Sequence, residues 1–464
     1  MSHTSLADWL DYIQQLHPSE IDMGLDRLRQ VAQRLGLGRP APVSILISGT
    51  NGKGSHVATL EQLLRCLGYR VGAYTSPHLL RYNERVCIDG VPVNDAQLMT
   101  AFEAIEAARQ DVSLSFFEFG TLAALQIFEQ TALDVAILEV GLGGRLDAVN
   151  LVDADMAIIT SIGLDHQDWL GDTRDAIAAE KAGIFRPGIP VVCSENDPPD
   201  SLLRKVVELD CRLLLRGRDF EGQTVAGPAA AGGSDRWQWQ GTDAQGASFA
   251  LHDLPWPTLA PVNVAGALQA VTWLLSSAML PDASAQYNTS WQQRLTVAAR
   301  DVLASLTLPG RQQPVRTPRG QAALLDVSHN VEAAQALAVT IGRWQQCQPD
   351  GRVFLVLAMM HDKDHAGYYH ALENAVDFWY IAHFNLPRCM PAAKLSAVLR
   401  AEGAAAEAIR QYDAVAEAFS NACQHAGEGD LIVVSGSFIT VSEVMQHTVA
   451  DNSANRPDQE ASSP

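Results

Sequence analysis

The stretch Val43–Ser48 (VSILIS), followed by Gly49-Thr50-Asn51-Gly52-Lys53-Gly54-Ser55, decides the fold of this chain. The apolar run reads as a buried strand, and Val57, Leu60, Leu64 and Leu67 then recur at helical spacing, with Gly68 placed to end the helix. Glycines in the turn let consecutive backbone N–H groups curl around an anion, and the helix N-terminus adds its dipole. Lys53 supplies a point charge for the outer phosphates of a nucleotide. The strict phosphate-loop pattern is broken twice: Ile47 stands where it wants Gly, and Gly54 where it wants Ser or Thr. The strand–turn–helix setting is still the one that phosphate binding needs; the alternative is a Gly-rich turn that binds nothing.

The same alternation continues outward. Buried strands are expected at Val71–Tyr74, Val135–Val140, Met156–Ile162 and Pro190–Cys193, with helical patterns near 96–110 and 119–131. Residues 212–258 change character: RWQWQ and ASFAL alternate around a Gly- and Ala-rich stretch at 226–234, which predicts antiparallel hairpins decorating the first domain. Asn263–Ser277 reads as a helix that rejoins the core. After Leu308-Pro309-Gly310-Arg311 a second series begins, with strands expected at Ala322–Val327, Val353–Ala358, Phe378–Ala382 and Leu431–Val434 and helices at 330–345, 392–402 and 412–425. The expected fold is α/β: a P-loop-type doubly wound parallel-sheet ATPase domain over 1–305, then a smaller Rossmann-like α/β domain over 306–449. Residues 450–464 are polar, with two prolines and no apolar pattern, and read as a disordered tail.

At ~100–200 residues per domain, 464 residues allow two or three cores. Lys and Arg number 33 against 53 Asp and Glu, a formal net charge of −20. That balance argues against a nucleic-acid coat or an anionic-membrane binder, while leaving room for a locally positive anion site. The seven cysteines form no C-x-x-C pair, so neither a disulfide framework nor a zinc knuckle is expected, and a reducing cytoplasm fits. The longest apolar run, Val353–Met360, is far short of the ~20 residues of a membrane span, and the N-terminus lacks a basic-then-apolar leader pattern. The protein is expected to be cytoplasmic, without a nucleic-acid or membrane partner.

The loop G-T-N-G-K-G-S resembles the phosphate loop of the folylpolyglutamate synthase/dihydrofolate synthase family, a branch of the Mur ligases. Further family-like stretches follow in order: Thr75-Ser76-Pro77-His78-Leu79, Ser115-Phe116-Phe117-Glu118, Leu138–Ala148 (LEVGLGGRLDA), Gly163-Leu164-Asp165-His166, Glu180–Phe185 (EKAGIF), Leu308–Arg311, Asp326–Asn330 (DVSHN) and Ser435–Phe438 (SGSF). The similarity spans roughly residues 20–445.

Two acidic or basic side chains stand out on position alone. Glu139 ends the run VAILEV at the carboxyl edge of a sheet, where ligands of α/β proteins sit. His166 follows MAIITSI at the same edge. Lys181, taken alone, reads as a solvated surface lysine. The resemblance implies more: that Ser76, Glu139 and His166 hold Mg²⁺, with two ions expected; that Lys181 is carbamylated and becomes an oxygen ligand; and that Lys53, His166 and Lys181 are catalytic. It implies ATP contacts from Gly49 to Ser55 and from Asn263, Arg311 and Asp326. Arg311 suits phosphate through its planar fork of donors, and Asp326 suits ribose or water. It also implies contacts to glutamate from His329 and Ser437, either of which could equally be a helix or loop cap.

A pterin head wants apolar or aromatic walls and a carboxylate for its ring N–H groups, which Phe116, Phe117 and Asp147 supply. The resemblance adds Ile21, Met23, Arg145 and Ala148 to this wall. The expected activity is ATP-dependent addition of L-glutamate, through an acyl phosphate, to dihydropteroate and to tetrahydrofolate or its polyglutamates, by a monomer. The rivals are polyglutamate synthesis alone, a cell-wall Mur ligase, a P-loop switch and a catalytically dead scaffold. The chain lacks any Asn-Lys pair, so the N-K-x-D guanine reader of a GTPase switch is missing.

Overall fold

The computed structural model describes residues 3–19, 22–225, 236–280 and 289–454. The chain divides into two compact units, Met1–Leu306 and Thr307–Pro464. In the first unit the strands are β1 (Val43–Ser48), β2 (Val71–Tyr74), β3 (Val86–Ile88), β4 (Val91–Pro92), β5 (Val135–Glu139), β6 (Met156–Ile159), β7 (Pro190–Cys193) and β8 (Arg212–Leu215). They form one sheet in the order β4-β3-β2-β5-β1-β6-β7-β8. The six from β2 to β8 run parallel; β3 and β4 fold back antiparallel at one edge. β1 lies at the centre and every one of its residues is buried, as a parallel strand covered on both faces requires. Around the sheet lie α1 (Leu6–Gln15), α2 (Asp26–Leu35), α3 (Lys53–Cys66), α4 (Asp95–Arg109), α5 (Phe116–Glu129), α6 (Gln167–Leu170), α7 (Arg174–Lys181), α8 (Asp200–Glu208), α9 (Pro261–Ser276) and α10 (Trp291–Ser305).

Local chemistry sets several of these boundaries. Ser115 caps α5 by accepting from the Glu118 N–H at 3.3 Å, while the Glu118 carboxylate accepts from the Ser115 N–H at 2.7 Å. The same reciprocal box opens α4 with Asn94 and Gln97. The strand expected to reach Ile162 ends instead at Ile159, because Thr160 and Ser161 turn their polar groups to the phosphate loop.

The hairpin region corrects one expectation. Arg212–Leu215 belongs to no hairpin but is the parallel edge strand β8 beside β7. An edge strand covered on one side carries the half-exposed alternation that otherwise marks an antiparallel strand. The hairpins proper are β9 (Glu221–Val225), β10 (Arg236–Thr242) and β11 (Ser248–Pro255), a separate antiparallel sheet in the order β11-β10-β9; residues 226–235 lie outside the described residues. Trp237 and Trp239 of β10 are buried, and the Trp239 indole N–H donates to the Ala265 carbonyl of α9 at 3.1 Å. Losing either indole would cost roughly 3–5 kcal/mol.

The second unit is a six-stranded sheet, β12 (Gln313–Arg316), β13 (Ala322–Leu325), β14 (Val353–Leu357), β15 (Phe378–Ile381), β16 (Ile409–Gln411) and β17 (Leu431–Ser435), ordered β12-β13-β17-β14-β15-β16. Its helices are α11 (Val331–Cys347), α12 (His365–Leu372), α13 (Ala392–Ala401), α14 (Val415–His425) and α15 (Phe438–Ala454). β12 is antiparallel and sits at the edge, where Pro314 is tolerated because no ladder bond is asked of its missing N–H. Residues 450–454 are not part of a disordered tail: they continue α15, since a nucleated helix extends through polar residues that lack any apolar period. The rest of that expected tail, 455–464, lies outside the described residues.

All seven cysteines are free; Cys66 and Cys347 are exposed, Cys193 and Cys423 buried. Burial pushes the Cys87 and Cys193 thiols up to about 12 and that of Cys423 to about 11. No helix among the described residues is long and apolar enough to cross a membrane.

Candidate active site

The strand register brings the first group of residues together. β1 pairs with β5 so that Ile47 lies opposite Glu139, and with β6 so that Ser48 lies opposite Ile159. The phosphate loop therefore leaves the carboxyl edge between Glu139 and Thr160. Its conformation is held from the β6 side: the Thr50 N–H donates to the Ser161 carbonyl at 2.8 Å, and the Thr160 hydroxyl donates to the Asn51 carbonyl at 2.6 Å. Gly52 has φ +85 and forms the N-terminal cap position of α3. A side-chain carbon there would collide with the Asn263 carboxamide, so Asn263 of α9 packs directly on the loop. The Lys53 ammonium donates to the Gly49 and Thr50 carbonyls at 2.9 and 3.2 Å.

His56, one turn into α3, is fully buried. Its Nδ1 is 3.0 Å from the Gly52 carbonyl and its Nε2 is 3.2 Å from the Ser194 hydroxyl. Burial lowers its pKa to about 4. The imidazole is thus neutral in the native state, whereas an unfolded chain would take up a proton near 6.5. Native stability from this group is present above pH 6.5 and is lost as pH falls through 6.5 towards 4. Between pH 7 and pH 5 wild type should lose about 2 kcal/mol more unfolding free energy than His56→Asn. Urea titrations at the two pH values check this, and equal losses would refute it.

Next to the loop, the β2–β5 pairing sets Tyr74 opposite Leu138, which carries Ser76 to Glu139: the Ser76 N–H donates to the Glu139 carboxylate at 3.2 Å. Glu139 is 4% exposed. His166 takes a left-handed conformation, φ +52, just before α6 and is exposed. Lys181 corrects the reading of a solvated lysine. It is 3% exposed, because the last turn of α7 is pressed against the GLGGR loop. A side-chain carbon on Gly144 would lie 2.7 Å from the Glu180 carbonyl and 2.8 Å from the Lys181 carbonyl. The Arg145 N–H also donates to the Glu180 carbonyl at 2.8 Å. Among the described residues no three His, Cys, Asp or Glu side chains gather as a metal cluster; the expected set draws on a hydroxyl and a lysine as well.

The aromatic wall assembles on the α5 side. Phe117 packs over Gly141 and stands 6.0 Å from the Tyr74 ring. Phe116 meets Tyr82 edge-on at 5.5 Å. Asp147 is buried, and its oxygens accept from the Leu142 N–H at 2.8 Å and the Val149 N–H at 2.9 Å. Burial pushes its carboxyl up to about 6, against those N–H groups and the Lys53 charge. Asp147 therefore shapes the loop and caps the short turn that Ala148, itself buried, begins. Arg145 points outward and pairs with Glu180 at 2.8 Å. Met23 is partly buried and approaches Gly143; Ile21 lies outside the described residues.

Three groups around the site escaped the sequence reading. Arg27 joins Asp22 to the buried Glu118, tying the segment carrying Met23 to the start of α5. Arg85 is buried between the Tyr82 and Phe116 rings. The Thr160-Ser161 pair binds the phosphate loop; two hydroxyls directly after a buried apolar run were its signal.

In the second unit, Asp326, Ser328, Ser435 and Ser437 collect at the carboxyl ends of β13 and β17. Asp326 is buried, and burial raises its pKa against the Arg311 charge. It accepts from the Gln312 and Ser328 N–H groups at 2.8 Å each. Arg311 lies over the Phe438 ring, 4.8 Å from its centroid. His329 Nδ1–H donates to the Val327 carbonyl at 3.0 Å. Ser437 accepts from the Thr440 N–H at 3.0 Å in the first turn of α15, as a capping serine does. Asn330, next to His329, caps α11.

Residues 47–217 match the Mur ligase middle domain, and residues 310–438 match the Mur ligase, glutamate ligase domain. The dihydrofolate synthase/folylpolyglutamate synthase of Escherichia coli (strain K12) is 41% identical over 442 residues, 95% of this chain and 95% of that protein. The chain belongs to the dihydrofolate synthase/folylpolyglutamate synthase family. Among solved folylpolyglutamate synthases, the structure of E. coli FolC in complex with DHPP and ADP matches with a TM-score of 0.84 at 40% identity, covering 97% of this chain and 99% of that one. A bifunctional folylpolyglutamate synthase/dihydrofolate synthase with Mn, AMPPNP and L-glutamate bound matches at 0.81 and 42% identity, covering 96% and 98%.

Proposed function

We propose that the protein is an ATP-dependent amide ligase joining L-glutamate to dihydropteroate and to tetrahydrofolate or its polyglutamates. The observation that carries this reading is one sheet edge that presents a phosphate loop, the buried Glu139 beside Ser76, and the Phe117 wall, in a chain of this family. ADP, DHPP, AMPPNP, Mn and L-glutamate in its relatives support it.

In the reaction, the pterin substrate's carboxylate takes the γ-phosphoryl group of ATP, giving an acyl phosphate and ADP. The glutamate amine then attacks the acyl carbon, loses a proton and expels phosphate. The loop N–H groups and the α3 N-terminus bind the phosphates, and Lys53 balances charge as the phosphoryl group transfers. Asn263 packs against Gly52 and keeps the loop in its left-handed turn. Arg311 and Asp326 are assigned to the nucleotide, and His329 and Ser437 to the incoming glutamate. Phe117, Met23 and Ala148 wall the pterin, with Asp147 setting the loop that faces it.

A hydroxyl and a buried carboxylate are hard oxygen donors and fit Mg²⁺. Ser76, Glu139 and His166 would hold it, with Lys181 as a carbamate supplying an anionic oxygen ligand to a second ion. Held there, Mg²⁺ would supply positive charge against the triphosphate. The protein acts as a cytoplasmic monomer.

ADP release with Mg²⁺ and ATP, with and without glutamate, tests the assignment. Dihydropteroate and tetrahydrofolate are offered separately. Glutamate-dependent release with both is expected; with tetrahydrofolate alone the activity narrows to polyglutamate synthesis, and with neither the assignment fails. Intact mass under native conditions reads the Lys181 carbamate as an added CO₂.

A further inference from the structure

We propose that His56 is a positioning residue for the nucleotide: its imidazole, anchored by Ser194, fixes the Gly52 carbonyl and thereby aims the N–H groups at the start of α3. This rests on the reading of the loop as the ATP site.

The proton assignment follows from the partners. A backbone carbonyl only accepts, so Nδ1 carries the hydrogen towards Gly52, and Nε2 accepts from the Ser194 hydroxyl at 3.2 Å. The Gly52 carbonyl thus takes two donors from one residue, the His56 backbone N–H and its ring, each at 3.0 Å. The Ser194 N–H donates to the Ile159 carbonyl at 2.9 Å, so the far end of the brace stands on the last residue of β6. Gly266 of α9 closes the space: a side-chain carbon there would lie 2.6 Å from His56 Nε2. One turn earlier on the same helix, Asn263 packs against Gly52.

This brace answers a specific weakness. Gly52 at φ +85 has no side chain to hold it, and glycine leaves such a conformation easily. Its carbonyl and the Lys53 N–H belong to one planar peptide unit and point in opposite directions. Holding the carbonyl therefore aims the Lys53 N–H, the first donor of the helix N-terminus, away from the core and towards the phosphate side.

Two near-isosteres separate the ring atoms. Asn places its amide nitrogen where Nδ1 stands; Gln reaches the Nε2 position and leaves nothing at Nδ1. His56→Gln should raise the KM and Kd for ATP about 10-fold, the worth of one lost hydrogen bond to the loop, with the KM for glutamate and for folate unchanged. His56→Asn should stay within about threefold of wild type for ATP. Amide exchange at Lys53–Ser55 in the nucleotide-free protein should quicken in the Gln variant and not in the Asn variant. Equal effects of Asn and Gln, a parallel rise in all three KM values, or an unchanged ATP Kd would overturn the proposal. Should the Gln variant fail to fold, Ser194→Ala carries the test, with faster exchange at Lys53–Ser55 expected and unchanged exchange refuting it. A wild-type protein that binds no ATP would sink the ATP reading alone, since the exchange measurement judges the brace independently.

Discussion

Lys53→Ala is expected to lower turnover about 10³-fold, the upper range for loss of one charge-stabilising group at a reacting centre, while leaving the fold intact. The ammonium is tethered by the Gly49 and Thr50 carbonyls at 2.9 and 3.2 Å, which keeps it at the mouth of the loop. Its charge also reaches Asp147, where it opposes the rise caused by burial. Truncation forfeits the hydrogen bonds that the partly exposed ammonium donates to the loop carbonyls, and the unfolding free energy should drop by about 2 kcal/mol. ADP release measured alongside the urea midpoint separates the two effects. A variant with near-normal turnover would remove Lys53 from the chemistry, and one that is unfolded would make it structural.

Gly144→Ala should be nearly as damaging by a different route. The added methyl would meet the Glu180 and Lys181 carbonyl oxygens at 2.7 and 2.8 Å and the Lys181 Cα at 3.1 Å. These are backbone atoms and cannot rotate away. Relief requires the GLGGR loop and the end of α7 to part, which carries Lys181 out of its buried position and loosens Asp147, whose Oδ2 is bound by the Leu142 N–H of the same loop. The expected cost is about 3 kcal/mol of stability, as for overpacking that shifts backbone, and a loss of turnover of about 100-fold or more if Lys181 serves the reaction. Urea unfolding and ADP release again provide the readout. Normal turnover despite the lost stability would show that the Gly144 contact supports the fold and nothing more.

Much of this was legible in the chain itself, and the reason differs from place to place. Val43–Ser48 could be read because a strand buried on both faces is written as an unbroken apolar run, and its bounds agree with β1. Arg212–Leu215 misled because an edge strand alternates like a hairpin strand. Short β12 and β16 and the helix His365–Leu372 carry too few periodic residues to stand out. At the site, Glu139 and Ser76 sit 63 positions apart, and only the β2–β5 register makes them neighbours. Lys181 shows the limit most clearly: one lysine in AEKAGIF says nothing of burial until the glycine of a loop some 37 positions earlier is seen lying against it. His56 was passed over for the same reason, since its partner Ser194 follows β7, 138 positions further along the chain.

The scattered cysteines, unremarkable as chemistry, have a practical side. Five of the seven are shielded to some degree, and burial holds the Cys87, Cys193 and Cys423 thiols far from ionisation, which starves them of the thiolate that alkylating dyes require. The two exposed ones are Cys66, at the end of α3, and Cys347, at the end of α11. They fall one in each compact unit. The native chain thus brings its own pair of attachment points for a donor and an acceptor fluorophore, one on each unit, without engineering a single residue.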